Sequence, residues 1–370
     1  GTLDLNSGSS AVEVSATDST VNLNQTATSS NPATRIITGT FTTSTVNLNW
    51  GASIGTGTFN TGSIVTLDNG ASIGNGTFAA SALTLKNNSS IPIFAAYPTF
   101  SSLTINNSTL EAKDSNGANL KVIVSGVTNI TNGTLSLNTS SELQGATAIN
   151  ANGILNVNGA SQLTGVGSNK TTITNGTLNL NPGSSATEIE ATGSTVTLDN
   201  SSSITTGTFD NSTITLDNSS SIATGTFNNN STITLDNSST ITGTSTFNSS
   251  KATLYNNSTI TNASFAISEL TLKNGSSITS FASGHNPTFT NLIIDNAPFN
   301  VVSPTKVTVS QTLELTTGTN NDIIIDNLIV DNIPVNNPIK LFSNASKKID
   351  IGNFAINTLT PIHISEKINI

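Results

Sequence analysis

Ser194-Thr195-Val196-Thr197-Leu198-Asp199-Asn200-Ser201-Ser202-Ser203-Ile204-Thr205-Thr206-Gly207-Thr208-Phe209 decides how this chain folds, because it recurs. It returns as Ser212-Thr213-Ile214-Thr215-Leu216-Asp217-Asn218 with Ile222 and Phe227 behind it. A third copy is Ser231-Thr232-Ile233-Thr234-Leu235-Asp236-Asn237 with Ile241 and Phe247. Aligned on these landmarks, the chain falls into columns about 18 to 19 residues apart: Leu198, Leu216, Leu235, Leu254, Leu272; Ile204, Ile222, Ile241, Ile260, Ile278; Phe209, Phe227, Phe247, Phe265. The first half repeats the scheme through Leu48, Leu67 and Leu85, through Ile54, Ile73 and Ile91, and through Phe41, Phe59 and Phe78.

Within one repeat, apolar and polar residues alternate. In Thr195-Val196-Thr197-Leu198-Asp199, a period of two places Val196 and Leu198 on one face and the threonines and Asp199 on the other. Asn, Ser and Gly clusters separate these runs and turn the chain, by side-chain bonding to the backbone and by tolerance of positive φ. The spacing predicts three short strands and three turns per repeat, the size of one coil of a parallel β-helix. No repeat can bury its Leu, Ile and Phe alone, but coils stacked about 4.8 Å apart share a continuous core. An α-helical hairpin repeat is excluded by the poor helix propensity of these residues and the lack of a 3.6-residue stripe. The register of leucine-rich repeats is also missing. The fold expected is all-β, a parallel β-helix or β-solenoid, with right-handed winding favoured by the general preference of parallel crossovers.

A longer duplication overlies the short one. Gly1-Thr2-Leu3-Asp4-Leu5-Asn6 matches Gly176-Thr177-Leu178-Asn179-Leu180-Asn181, and Leu83-Thr84-Leu85-Lys86 matches Leu270-Thr271-Leu272-Lys273. Each of the latter is followed by Pro-Thr-Phe, at Pro98-Thr99-Phe100 and Pro287-Thr288-Phe289. Residues 1–312 therefore read as a regular solenoid containing a block duplication, 1–130 and 176–312. Residues 313–370 read as a less regular continuation with longer strands and larger turns. Apolar runs such as Ile323-Ile324-Ile325 blur the period there, and Pro334, Pro338 and Pro361 (with Pro304 just before) accumulate.

Composition narrows the function. Only 9% of residues are charged against 34% hydrophobic, and the net charge is −9. With no run of Lys or Arg, nucleic-acid binding is not expected. No apolar stretch is long enough to span a bilayer. The absence of Cys removes disulfides and thiolate chemistry, and suits a protein exported without disulfides. The chain opens on Gly1 within a repeat and carries no Met, so it is expected to be a segment of a longer, processed polypeptide.

Each candidate for chemistry has a structural counterpart. The column Asp199, Asp217, Asp236 aligns carboxylates that could bind Ca²⁺. However, the calcium-binding Gly-Gly-x-Gly-x-Asp pattern is missing and Tyr255 and Lys273 follow in the column, so a solvated ladder is expected, with no metal site and no cofactor. Lys273, and Lys86 after Asp68, read as partial charge balance. Thr195, Thr197, Thr213, Thr215, Thr232 and Thr234 form outward Thr-x-Thr pairs, the lattice by which some solenoids bind ice. Here the first column runs on to Lys251 and Glu269, and threonine is a strand former in any case. His285, in the turn Gly284-His285-Asn286-Pro287, and His363 have no nucleophile or metal-spaced partner near them, and no catalytic residue is assigned. Asn-x-Ser/Thr sequons such as Asn218-Ser219-Ser220 and Asn257-Ser258-Thr259 follow from composition. Trp50 replaces the Asn of a Leu-Asp-Asn turn and reads as a buried or half-buried turn aromatic.

The units Asn132-Gly133-Thr134-Leu135-Ser136-Leu137-Asn138 and Asn175-Gly176-Thr177-Leu178-Asn179-Leu180-Asn181 resemble passenger-domain repeats of bacterial autotransporters. The Ser/Thr/Asn-rich texture is similar in particular to the vacuolating-cytotoxin-like autotransporters of Helicobacter and its relatives. This resemblance implies a right-handed β-helix carried to the cell surface through a C-terminal β-barrel. Neither the barrel, nor a signal peptide, nor that family's hydrophobic pore-forming region is found in this sequence. The function expected is the shaft of a secreted or surface-exposed bacterial protein acting in adhesion, host interaction or surface coating. Its partners would be a cell-surface receptor or further copies of itself in a filament. The rival reading is a carbohydrate-active β-helix such as a polysaccharide lyase or a phage tailspike.

Overall fold

The computed structural model describes residues 1–26, 33–302, 305–317, 321–331, 333–334, 339–343, 347–357, 361–364 and 368–369. Pro304 and Pro338 lie outside them. The chain divides into two compact units, Gly1–Glu190 and Ala191–Ile370. Both are parallel β-solenoid, and the single helical element among the described residues is a 3₁₀ turn at Gly167–Asn169.

In the first unit, Thr20–Asn24, Thr45–Asn49 and Ile64–Asp68 pair in parallel, with Val21, Val46 and Val65 in one register column and Leu23, Leu48 and Leu67 in the next. A second ladder runs through Ser10–Thr17, Arg35–Thr42, Ser53–Phe59 and Ser72–Phe78. A third begins at Thr109–Glu111 and continues through Thr134–Leu137, Ile154–Val157 and Thr177–Leu180, the first and last of these three carrying the Asn-Gly-Thr-Leu units. In the second unit, Thr195–Leu198, Thr213–Leu216, Thr232–Leu235 and Lys251–Leu254 form one ladder, and Ser203–Asp210, Ser221–Asn228, Thr240–Asn248 and Thr259–Ala266 another.

Three separate strands per repeat were expected; the second and third run together. Ser203–Asp210 is one strand that bends at Thr205-Thr206, two successive outward residues between buried Ile204 and buried Phe209. The alternation slips by one residue there, which redirects the strand without a loop. The extra residue of Thr240–Asn248 enters at the same place, where its register with Ser221–Asn228 shifts. Variation in repeat length is absorbed at bends and turns, while the inward columns stay aligned.

The true turns follow the sequence cues. In Leu-Asp-Asn-Ser-Ser, the Asn and first Ser are both left-handed: Asn200 and Ser201 at φ 48° and 63°, Asn218 and Ser219 at 52° and 64°, Asn237 and Ser238 at 49° and 64°. Asn tolerates this conformation because its short polar side chain bonds locally.

The core is a set of stacked identical residues. Phe209, Phe227, Phe247 and Phe265 stack with ring centroids 5.1, 4.7 and 4.6 Å apart and planes within 14°. Phe41, Phe59 and Phe78 do likewise at 5.2 and 4.8 Å. Each stack ends on a tilted ring from a Pro-Thr-Phe, Phe100 at 51° to Phe78 and Phe289 at 47° to Phe265, so the duplicated sequence blocks end alike in three dimensions. Beside the second stack runs a column of buried serines, Ser212, Ser231, Ser250 and Ser268. Ser231 Oγ donates to the Phe209 carbonyl of the preceding coil (3.1 Å) and accepts the N–H of Ser212 (3.2 Å). Ser250 and Ser268 donate in the same way to Phe227 and Phe247. Polar turns therefore face the interior without stranding their backbone groups.

Between the duplicated blocks one ladder carries the inward column Ile130, Ile149 and Ile173 beside the buried threonines Thr128, Thr147 and Thr171. Toward the C-terminus coils lengthen. Ile323–Asp331 pairs in parallel with Ile349–Asn357, and equivalent residues such as Asn327 and Asn353 are 26 apart in sequence.

Two core substitutions test this packing in urea unfolding. Phe227→Ala removes an inner ring and is expected to cost about 3–5 kcal/mol. Thr147 Oγ1 is buried without a hydrogen-bond partner among the described residues, so Thr147→Val, close in shape, is expected to stabilise by about 1 kcal/mol.

Candidate functional site

The outward surface holds every group singled out for chemistry. Asp199, Asp217 and Asp236 are partly exposed and follow the register of their ladder. The amide of each following coil's asparagine is inserted at each carboxylate. Asn218 Nδ2 donates to Asp199 Oδ1 at 2.7 Å, Asn237 to Asp217 at 2.6 Å and Asn256 to Asp236 at 2.6 Å. The backbone N–H groups of Asn218 and Asn237 cap Asp217 and Asp236 at 2.7 Å. The same device joins Asn87 to Asp68 at 2.8 Å and Asn22 to Asp4 at 2.7 Å in the first unit. The ladder is a staircase of Asn amides and Asp carboxylates. Among the described residues, no group of three or more His, Cys, Asp or Glu is placed to hold a metal ion.

The lysines expected to balance this column do not reach it. Asp68 takes its bond from Asn87. Lys273 lies in register with Asp295, one coil beyond, yet forms no ion pair with it among the described residues. Ion pairs form elsewhere: Lys251 with Glu269 at 3.5 Å and Lys340 with Glu314 at 2.6 Å. Glu190 pairs with Lys170 and holds that ammonium's pKa above its ordinary value.

The threonine lattice is deeper on one side than its sequence pattern indicates. Thr195, Thr213 and Thr232 give way to Lys251 and Glu269, whereas Thr197, Thr215, Thr234, Thr253 and Thr271 continue over five coils. Trp50 occupies the left-handed turn position at φ 52° with 48% of its surface exposed, so it is a half-covered turn residue.

The reading of His285 needs correction, because a nucleophile-type side chain does lie beside it. Ser264, 21 residues earlier, places its Oγ 2.9 Å from His285 Nε2. The same nitrogen is 3.1 Å from the Phe265 carbonyl oxygen. A carbonyl only accepts, so the contact to Phe265 calls for a proton on Nε2, whose N–H the Ser264 hydroxyl oxygen can also accept. The contact ties a turn to the coil beneath it. His363 is in register with Lys340 on the outer face.

No protein-family model matches the chain, and no curated protein matches it. Among the described residues, no helix is long and apolar enough to cross a membrane.

The Asn–Asp staircase makes a separable prediction. Asn218→Ala loses the amide bond and leaves a poorly suited residue in the left-handed region, for an expected cost of about 1–2 kcal/mol. Asn218→Gly loses the bond but suits the backbone, and should cost less than Asn218→Ala. Urea midpoints of the two variants decide between turn strain and the ladder bond as the main contribution.

Proposed function

We propose that this chain is the shaft of a secreted or surface-exposed bacterial protein, a passenger of the autotransporter type, and that it serves adhesion, host interaction or surface coating. The observation that carries this reading is the coil-on-coil repetition of inward columns. Such an architecture lengthens by duplication without needing a new core. Low charge, the absence of Cys and hydrogen-bonded turns also suit a chain that crosses a membrane extended and folds outside. Catalysis has no part in this reading: the Asp column is held by Asn amides, and the Phe265 carbonyl calls for a proton on the His285 nitrogen that faces Ser264.

Antibodies to this segment, applied to intact source cells with and without external protease, test the reading. Surface labelling that protease abolishes is expected. Antigen confined to the cytoplasm and protected until lysis would contradict it.

A further inference from the structure

One face of the second unit changes character along its length. In the first three coils the outward residues of the Thr195–Leu198 ladder are threonines flanked by the Asn–Asp staircase. From Lys251 onward the face becomes concave, with two adjoining depressions of about 510 and 440 Å³ that share Lys251 on their borders. Here Tyr255 takes the place of the aspartate; Glu269 and Lys273 follow together on the next coil, then Asp295 and then Glu314 on the two after it. We propose that this groove binds a neutral oligosaccharide laid along the ladder.

Three observations select that ligand class. The charges balance: Lys251 is paired with Glu269, Glu314 with Lys340, and Lys273 is matched in register by Asp295. A polyanion or polycation therefore meets as much repulsion as attraction. Unused hydrogen-bonding groups face the groove, since the Tyr255 hydroxyl, the Lys273 ammonium and the Asp295 carboxylate have no partner among the described residues. Donors and acceptors of both kinds beside an aromatic ring match the hydroxyls and C–H faces of a sugar. The ring of Tyr255 is partly buried, so its orientation is restrained before a ligand arrives. Finally, the groove spans successive coils at about 4.8 Å each, which suits a chain of sugars better than a single one. The proposal does not depend on where the shaft is displayed.

Calorimetric titration of the full chain with cellohexaose, chitohexaose, maltohexaose and mannohexaose, and with polygalacturonate as the charged comparison, tests it. At least one neutral hexasaccharide is expected to bind with a Kd below about 1 mM. Tyr255→Ala and Asp295→Asn, both outward and expected to keep the parent urea midpoint, should each weaken that binding about tenfold or more. Absence of binding by all four neutral sugars, binding of polygalacturonate alone, or affinity unchanged in both variants would overturn it.

Discussion

Every feature of this molecule depends on parallel, in-register pairing of each coil with the next. Backbone hydrogen bonds between coils fix the axial spacing, and the two-residue period of the strand fixes which side chains point inward. A slip of one residue in any coil would turn Val and Leu outward and Thr inward. Once the register holds, each inward position meets its own counterpart, and like residues pack on like. That is why phenylalanines stack nearly parallel and why the serines of the Ser212–Ser268 column line a turn from within, each hydroxyl bonding to the coil below. Aromatic pairs of this kind add about 0.5–1.5 kcal/mol beyond their buried area, so repetition itself is stabilising.

The same constraint sorts the residues that can vary. Inward columns are nearly fixed, whereas outward positions and turns change from coil to coil at little cost. Thr213 is followed in its column by Thr232, Lys251 and Glu269 without disturbance of the leucines beside it. Chemistry on such a scaffold has to be written on the outside, from residues on different coils. Much of the described outer surface is hydroxyl and amide, and the concave stretch from Lys251 to Glu314 carries more charge than the threonine coils that precede it.

The Leu, Ile and Phe columns were legible in the sequence because they are the inward positions, and inward positions repeat. The Asn of each turn was legible because the left-handed backbone selects it. The fusion of two strands at Thr205-Thr206 was not, since the bend uses a pair of outward threonines and the adjacent Gly207 makes room for the Phe209 ring without turning the chain. Ser264 and His285 were read apart because they meet only when coils stack. The groove was hidden for the same reason: Tyr255 and Lys273 looked like interruptions of an aspartate column, and acquire a common meaning with Asp295 only as neighbours on a concave face. Lys86 forms no ion pair with Asp68 among the described residues, because an Asn amide, short and already held in the turn, takes that carboxylate.

The native absence of Cys allows the central claim, coil-by-coil register, to be tested by paired cysteines at outward positions. Thr197→Cys with Thr215→Cys, and Thr215→Cys with Thr234→Cys, join residues of adjacent coils that are direct register partners. Both pairs lie within disulfide reach at one coil spacing, and Thr197→Cys with Thr234→Cys, two coils apart, does not. The account predicts rapid oxidation of the first two pairs to intramolecular disulfides with little from the third. Equal crosslinking of all three, or preferential crosslinking of the third, would contradict it.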